Sequence, residues 1–168
     1  MFKKIDDKTE KLCFWEVGEL ELVSENIENL LLQEMILTNL DFLSKFKKIK
    51  KLMLWNCDVQ NLQSIQQLKS LEFLELGTGN DVIALDNLKV KEIRLHRSAN
   101  TKELYLSNCP NLEKLLILDN TKIISLLNLP KLSLVASKES NKIEQFTCTN
   151  VFADCEFVLY NFEGLVRQ

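Results

Sequence analysis

Residues 71–79 read Leu-Glu-Phe-Leu-Glu-Leu-Gly-Thr-Gly, with apolar side chains at the first, fourth and sixth places and a small residue at the ninth. The fourth and sixth places alternate as a half-buried strand does. The same frame returns at Ile27/Leu30/Leu32/Met35, Ile49/Leu52/Leu54/Cys57, Val90/Ile93/Leu95/Ser98 and Leu112/Leu115/Ile117/Asn120. Weaker copies start at Leu132, with Val135, and at Asp154, with Phe157 and Leu159. Self-similarity at roughly 20 residues marks a repeat architecture, in which one unit cannot bury its apolar face alone and stacked neighbours share a core.

Between these frames runs a second pattern. Leu40, Leu43 and Phe46 recur every third residue, as do Leu62, Ile65 and Leu68, then Val82, Leu85 and Leu88, then Ile123, Leu126 and Leu129. Such spacing predicts short helices or 3₁₀ turns with one apolar stripe. Two intervals carry the strand frame instead, at Thr101/Leu104/Leu106/Cys109 and Ile143/Phe146/Cys148/Val151. There the reading predicts a second strand on the back of the coil, at 104–106 and 146–148. The expected fold is an α/β solenoid of about six coils in one domain, 1–168. Its parallel sheet lies on the concave face, with short helices, 3₁₀ turns and some strands on the convex one. Residues 1–24 are expected to cap it, with strands over 12–17 and 19–23 about Gly18; repeats fill 25–153, and the aromatic-rich 154–168 closes the other end.

The segments Leu71-Glu-Phe-Leu-Glu-Leu76 and Leu104-Tyr-Leu-Ser-Asn-Cys-Pro-Asn-Leu112 resemble leucine-rich repeats, and the 11-residue half-repeats resemble the short, bacterial, internalin-like kind. The resemblance spans about residues 17–160. Gly79 and Ser98 depart from it, standing where the family places an Asn or Cys. The resemblance implies a right-handed superhelix that binds proteins.

Composition bounds the function. Of 168 residues 32 are leucine, and 21 basic against 24 acidic residues leave a net charge of −3. Nucleic-acid binders need a basic surface to displace phosphate counterions, so no nucleic-acid partner is expected. The run Lys45-Phe-Lys-Lys-Ile-Lys-Lys51 reads as a solvated edge. No apolar stretch approaches the roughly 20 residues of a membrane span, and acidic residues stand where a signal peptide needs an apolar core. Five scattered cysteines do not form a disulfide framework. The expected location is cytoplasmic, and the lysine bias (18 Lys, 3 Arg) hints at a bacterial source.

Candidate contacts lie at the outward third, fifth and seventh places of the main frame. They are Leu31, Met53, Trp55, Phe73, Glu75, Glu92, Arg94, His96, Leu116 and Leu118. Trp55, Phe73, Met53 and Leu31 should adjoin, Leu116 and Leu118 should form a second apolar group, and Glu75, Glu92, Arg94 and His96 should lie between. Aromatic anchors beside charges are what protein interfaces use. Gly77 beside Trp55 would leave room for a partner's side chain, and Tyr105 would project from the opposite face. A one-residue slip in register would turn this surface inward.

Catalytic chemistry is not expected. Gly77-Thr-Gly79 lacks the later glycine of a dinucleotide fingerprint and the Gly-Lys-Ser/Thr of a phosphate loop. No Gly-x-Ser-x-Gly and no Cys-x-x-Cys occurs. Cys57, Cys109 and Cys148 take inward or turn-facing places and read as core. His96 reads as an exposed contact beside two glutamates, not half of a dyad. No cofactor or metal is expected. The expectation is a non-enzymatic protein-binding module, narrower still an inhibitor such as an immunity protein that neutralises a basic toxin or enzyme. The alternative is an adaptor or regulatory subunit of a larger complex. The chain is expected to be a monomer or weak homodimer.

Overall fold

A computed structural model describes residues 2–4, 9–13, 25–97, 99–160, 162 and 166–167. Within them lie β1 (Phe2–Lys4), β2 (Thr9–Cys13), β3 (Asn29–Gln33), β4 (Ile36–Leu37), β5 (Lys51–Val59), β6 (Phe73–Thr78), β7 (Val82–Asp86) and β8 (Glu92–Leu95). They continue with β9 (Glu103–Ser107), β10 (Lys114–Ile117), β11 (Ile123–Leu129), β12 (Leu134–Ser137), β13 (Gln145–Val151), β14 (Glu156–Val158) and β15 (Val166–Arg167). The main sheet runs β1-β2-β3-β5-β6-β8-β10-β12-β14, with β4 beside the end of β5. A second sheet runs β15-β13-β11-β9-β7. Among the described residues only β1 and β2 are antiparallel; every other pair is parallel. The chain therefore winds as a parallel β-solenoid of about six coils.

The leucine frame sets the main-sheet register position by position. Asn29, Lys51, Phe73, Glu92, Lys114 and Leu134 form one ladder, and Leu31, Met53, Glu75, Arg94, Leu116 and Ala136 the next. The intervening side chains point inward: Leu30, Leu32, Leu52, Leu54, Leu74, Leu76, Ile93, Leu95, Leu115 and Ile117 have no exposed surface. A buried leucine is worth about 1.5–3 kcal/mol over an exposed one. Because each coil supplies only half of its own cover, that gain exists only in the stack.

The back of the coil divides in two. Its early part carries 3₁₀ turns at Asp41–Lys45 and Gln63–Gln67, as the triplet spacing predicts. Ser64 Oγ donates to the Asp41 carboxylate, joining the two turns. From residue 82 onward the back is a sheet. The strands expected at 104–106 and 146–148 are β9 and β13.

The triplets at Val82/Leu85/Leu88 and Ile123/Leu126/Leu129 are corrected: both are strands, β7 and β11. The inward residues are Ile83/Leu85/Leu88 and Ile124/Leu126/Leu129, while Val82 is half exposed. Read from Asn80 and Thr121, these segments fit the strand frame itself. The neighbouring β-branched residues Val82-Ile83 and Ile123-Ile124 favour an extended backbone. The three-residue step that mimicked a helix comes from one left-handed residue, Asn87 (φ 54°) or Asn128 (φ 54°). Among the described residues no α-helix occurs, so the α component of the expected fold class reduces to the two 3₁₀ turns.

Left-handed residues recur at the coil corners, at Asn87, Asn108, Asn128 and Asn150 behind the second sheet and at Glu34 and Asn56 behind the main one. Asparagine tolerates this conformation better than other residues with a Cβ. Along the second sheet the amides link coil to coil. Asn150 Nδ2 donates to Asn128 Oδ1 (2.9 Å), Asn128 Nδ2 to Asn108 Oδ1 (2.8 Å) and Asn108 Nδ2 to Asp86 Oδ1 (2.7 Å).

At the far end Phe157 and Phe162 pack on the core, their rings 5.4 and 6.0 Å from that of Phe146. Apart from Leu12 and Cys13 in β2, the expected strand pair at 12–17 and 19–23 lies outside the described residues.

Candidate binding surface on the main sheet

The ten residues singled out in the sequence stand on one face of β3, β5, β6, β8 and β10 or just past their ends, in adjacent ladder positions. Their accessibility is uneven. Leu31 is 4% exposed and Glu75 8%, so neither offers a free surface. Met53, Trp55, Phe73, Glu92, Arg94, His96 and Leu116 are half-buried, and Leu118 is 37% exposed.

Two aromatic groups organise the face. The Trp55 indole and the His96 imidazole stack with ring centres 5.2 Å apart and planes 20° from parallel. Between their strands lies Gly77, paired with Trp55. Without a side chain there, the two flanking rings meet each other. The space expected for a partner's side chain is thus taken from within the chain. Trp55 Nε1 donates to Glu75 Oε1 at 3.0 Å, and His96 Nε2 lies 3.8 Å from the same oxygen.

The second group centres on Phe73. Arg94 Cζ stands 5.1 Å from its ring centre and Lys51 Nζ 5.7 Å, one from each neighbouring strand. Arg94 Nε donates to Glu92 Oε1 at 2.6 Å. A shallow hollow of about 300 Å³ is lined by Lys51, Glu72, Phe73, Lys91, Glu92 and Arg94. Cations over an aromatic face are attracted by its quadrupole, by about 0.5–1 kcal/mol at exposed sites.

The sequence reading missed the row beneath. Lys50 pairs with Glu28 and Lys91 with Glu72, each at 3.0 Å. These residues occupy the second place of the frame, where Glu28, Lys50, Glu72, Lys91 and Glu113 alternate in sign. That alternation was visible as a charge pattern at repeat spacing. The Glu28 carboxylate raises the Lys50 ammonium above its ordinary value, by hydrogen bond first and by charge second. On the opposite sheet Tyr105 is exposed, and its hydroxyl donates to Glu103 Oε2 at 2.6 Å, which raises the phenol's pKa.

Cys57, Cys109, Cys148 and Cys155 are buried. Burial pushes the Cys57 and Cys109 thiols up, away from the reactive thiolate. Among the described residues no group of three or more His, Cys, Asp or Glu side chains could hold a metal, and no helix is long and apolar enough to cross a membrane. A polar column inside the corner that follows the main sheet was also missed: Thr78, Thr101, Asp119, Thr121 and Asn141 are all buried. Asp119 Oδ1 accepts from Thr121 N (3.1 Å) and Thr121 Oγ1 (2.7 Å).

Compared with known proteins, the chain matches no family model, no curated protein and no solved structure.

Proposed function

We propose that the chain is a non-enzymatic protein-binding module that uses the outward face of its main sheet. The observation that carries this reading is Phe73, held on a rigid strand between Arg94 and Lys51 and beside the Trp55–His96 stack. Rigid aromatic groups with an arginine lose little entropy on contact, and such residues dominate interface energies. The leucine frame supports reading the coils as leucine-rich repeats of the short bacterial kind, flattened where strands form on both sides. The narrower reading is a cytoplasmic inhibitor, such as an immunity protein, acting as a monomer or weak homodimer on a basic toxin or enzyme. The charge distribution supports it: residues 1–44 hold 10 acidic and 4 basic residues. Such an end would steer a basic partner.

The test is capture by the immobilised full chain from the native host, with mass spectrometry of what is retained. Phe73→Ala is the informative variant, since Trp55→Ala would also strip Glu75 of its donor. One stoichiometric partner, bound at least about 30-fold more weakly by Phe73→Ala, supports the reading. A partner retained equally by the variant overturns it.

A further inference from the structure

The second sheet has an open edge in the middle of the molecule. Among the described residues β7 pairs with β9 on one side and with no strand on the other, because the preceding coil crosses the back as the Gln63–Gln67 turn. The ladder bonds fix which backbone groups are free. Glu103 N donates to Asp81 O at 3.0 Å and Asn87 N to Ser107 O at 3.0 Å, so the odd-numbered residues 81–87 face β9. In a parallel ladder the alternate residues then turn their N–H and C=O to the open side. Those residues are Val82, Ala84 and Asp86, and Val82 and Ala84 line a notch of about 150 Å³ with Gln60, Asn61, Leu62, Gln63 and Asn80. Asn80 Nδ2 donates to Val59 O at 2.7 Å, while its Oδ1 is buried without a partner. The notch therefore offers the alternating donors and acceptors of a strand edge, one further acceptor and a neutral amide rim.

We propose that this notch is a strand-docking site, where an extended, uncharged peptide segment of a partner protein adds to the β7 edge. Main-chain hydrogen bonds supply affinity in such docking, and alternate side chains supply selectivity. The neutral rim of Gln60, Asn61 and Gln63 offers no ion pair to a charged segment. Half-exposed Val82 supplies an apolar contact. The site is separate from the Phe73 face, which lies on the main sheet.

The probe is a displayed library of random heptapeptides, selected against the full chain. Ala84→Pro removes an N–H that points into the notch and not to β9, so the β7–β9 ladder keeps its bonds. Val82→Pro does the same at the first strand residue and serves if Ala84→Pro fails to fold. The expected result is peptides that slow hydrogen exchange at the Val82 and Ala84 amides at least about tenfold. Their binding falls at least about tenfold in either proline variant and is unchanged in Phe73→Ala. Peptides that bind the proline variants equally, protect other amides or are not recovered overturn the proposal. So does a concentration-dependent dimer abolished by Val82→Pro, which would make a second copy the occupant.

Discussion

The Trp55 indole stacks on the His96 imidazole, 5.2 Å apart, from two strands separated by β6. Beneath the pair lies Glu75, only 8% exposed, taking the indole N–H. Removing the donor should therefore cost more than losing ring area. Trp55→Phe keeps a ring but takes from a buried carboxyl group its indole donor, leaving His96 Nε2 at 3.8 Å, which destabilises by about 1–3 kcal/mol. Glu75→Gln should lose less and should soften the effect of Trp55→Phe. Urea unfolding of the two single variants and the double variant checks this. A coupling energy of about 0.5 kcal/mol or more is expected, and additive losses would show that the hydrogen bond contributes nothing.

The asparagine ladder contains two separable contributions. Asn128 holds a left-handed backbone and both gives and takes an amide hydrogen bond. Asn128→Gly keeps the backbone free and loses two bonds, about 1–2 kcal/mol. Asn128→Ala loses the same bonds and adds the left-handed penalty of about 1 kcal/mol. Thermal or urea unfolding should rank wild type above the glycine variant, and that above the alanine variant. Equal stability of the two variants would mean that the left-handed backbone adds no strain.

The main sheet was legible because its signal is local and repeated: Leu52/Leu54 and Leu74/Leu76 fix inside from outside, and stacking copies that choice from coil to coil. The second sheet was half legible. β7 and β11 were hidden because Leu85/Leu88 and Leu126/Leu129 are three apart in both a 3₁₀ stripe and a strand interrupted by a left-handed asparagine. Asn87 and Asn128, just before the third apolar residue, were the distinguishing sign. On the candidate face, ladder positions were readable but exposure was not. The burial of Leu31 and Glu75, and the closing of the gap at Gly77 by Trp55 and His96, depend on side-chain reach between strands, which residue spacing does not encode.

The cysteines provide a test of coil closure. Cys57 Sγ donates to Leu32 O at 3.4 Å across the stack, and Cys109 Sγ to Ser107 O at 3.2 Å. Both thiols are buried and pushed up by desolvation. Alkylation with iodoacetamide at pH 8, read by peptide mass mapping, should label Cys57 and Cys109 at least about 100-fold more slowly in the native chain than in urea. Rapid native labelling of Cys57 would show that the early coils open without global unfolding.

The burial of Asp119 sets the sign of the pH dependence expected from it. Burial holds its carboxyl above the ordinary value, while the two bonds from Thr121 pull the other way. In the unfolded chain it titrates near about 3.9. Between that value and its higher folded value, the folded chain holds more protons than the unfolded one, so this group's contribution to stability falls as pH rises. Below the window the penalty is absent; above it the penalty is complete and constant. Asp86 and Glu144 are held low by their hydrogen-bond partners, so they act in the opposite direction, losing their stabilising effect as pH falls. The difference between Asp119→Asn and wild type isolates the buried group, because those two carboxylates are common to both. Urea unfolding should show the variant gaining on wild type as pH rises from about 3.5, then levelling above the folded value. A difference that is flat, or that shrinks with pH, would mean that the Thr121 bonds outweigh desolvation and that Asp119 is held ionised.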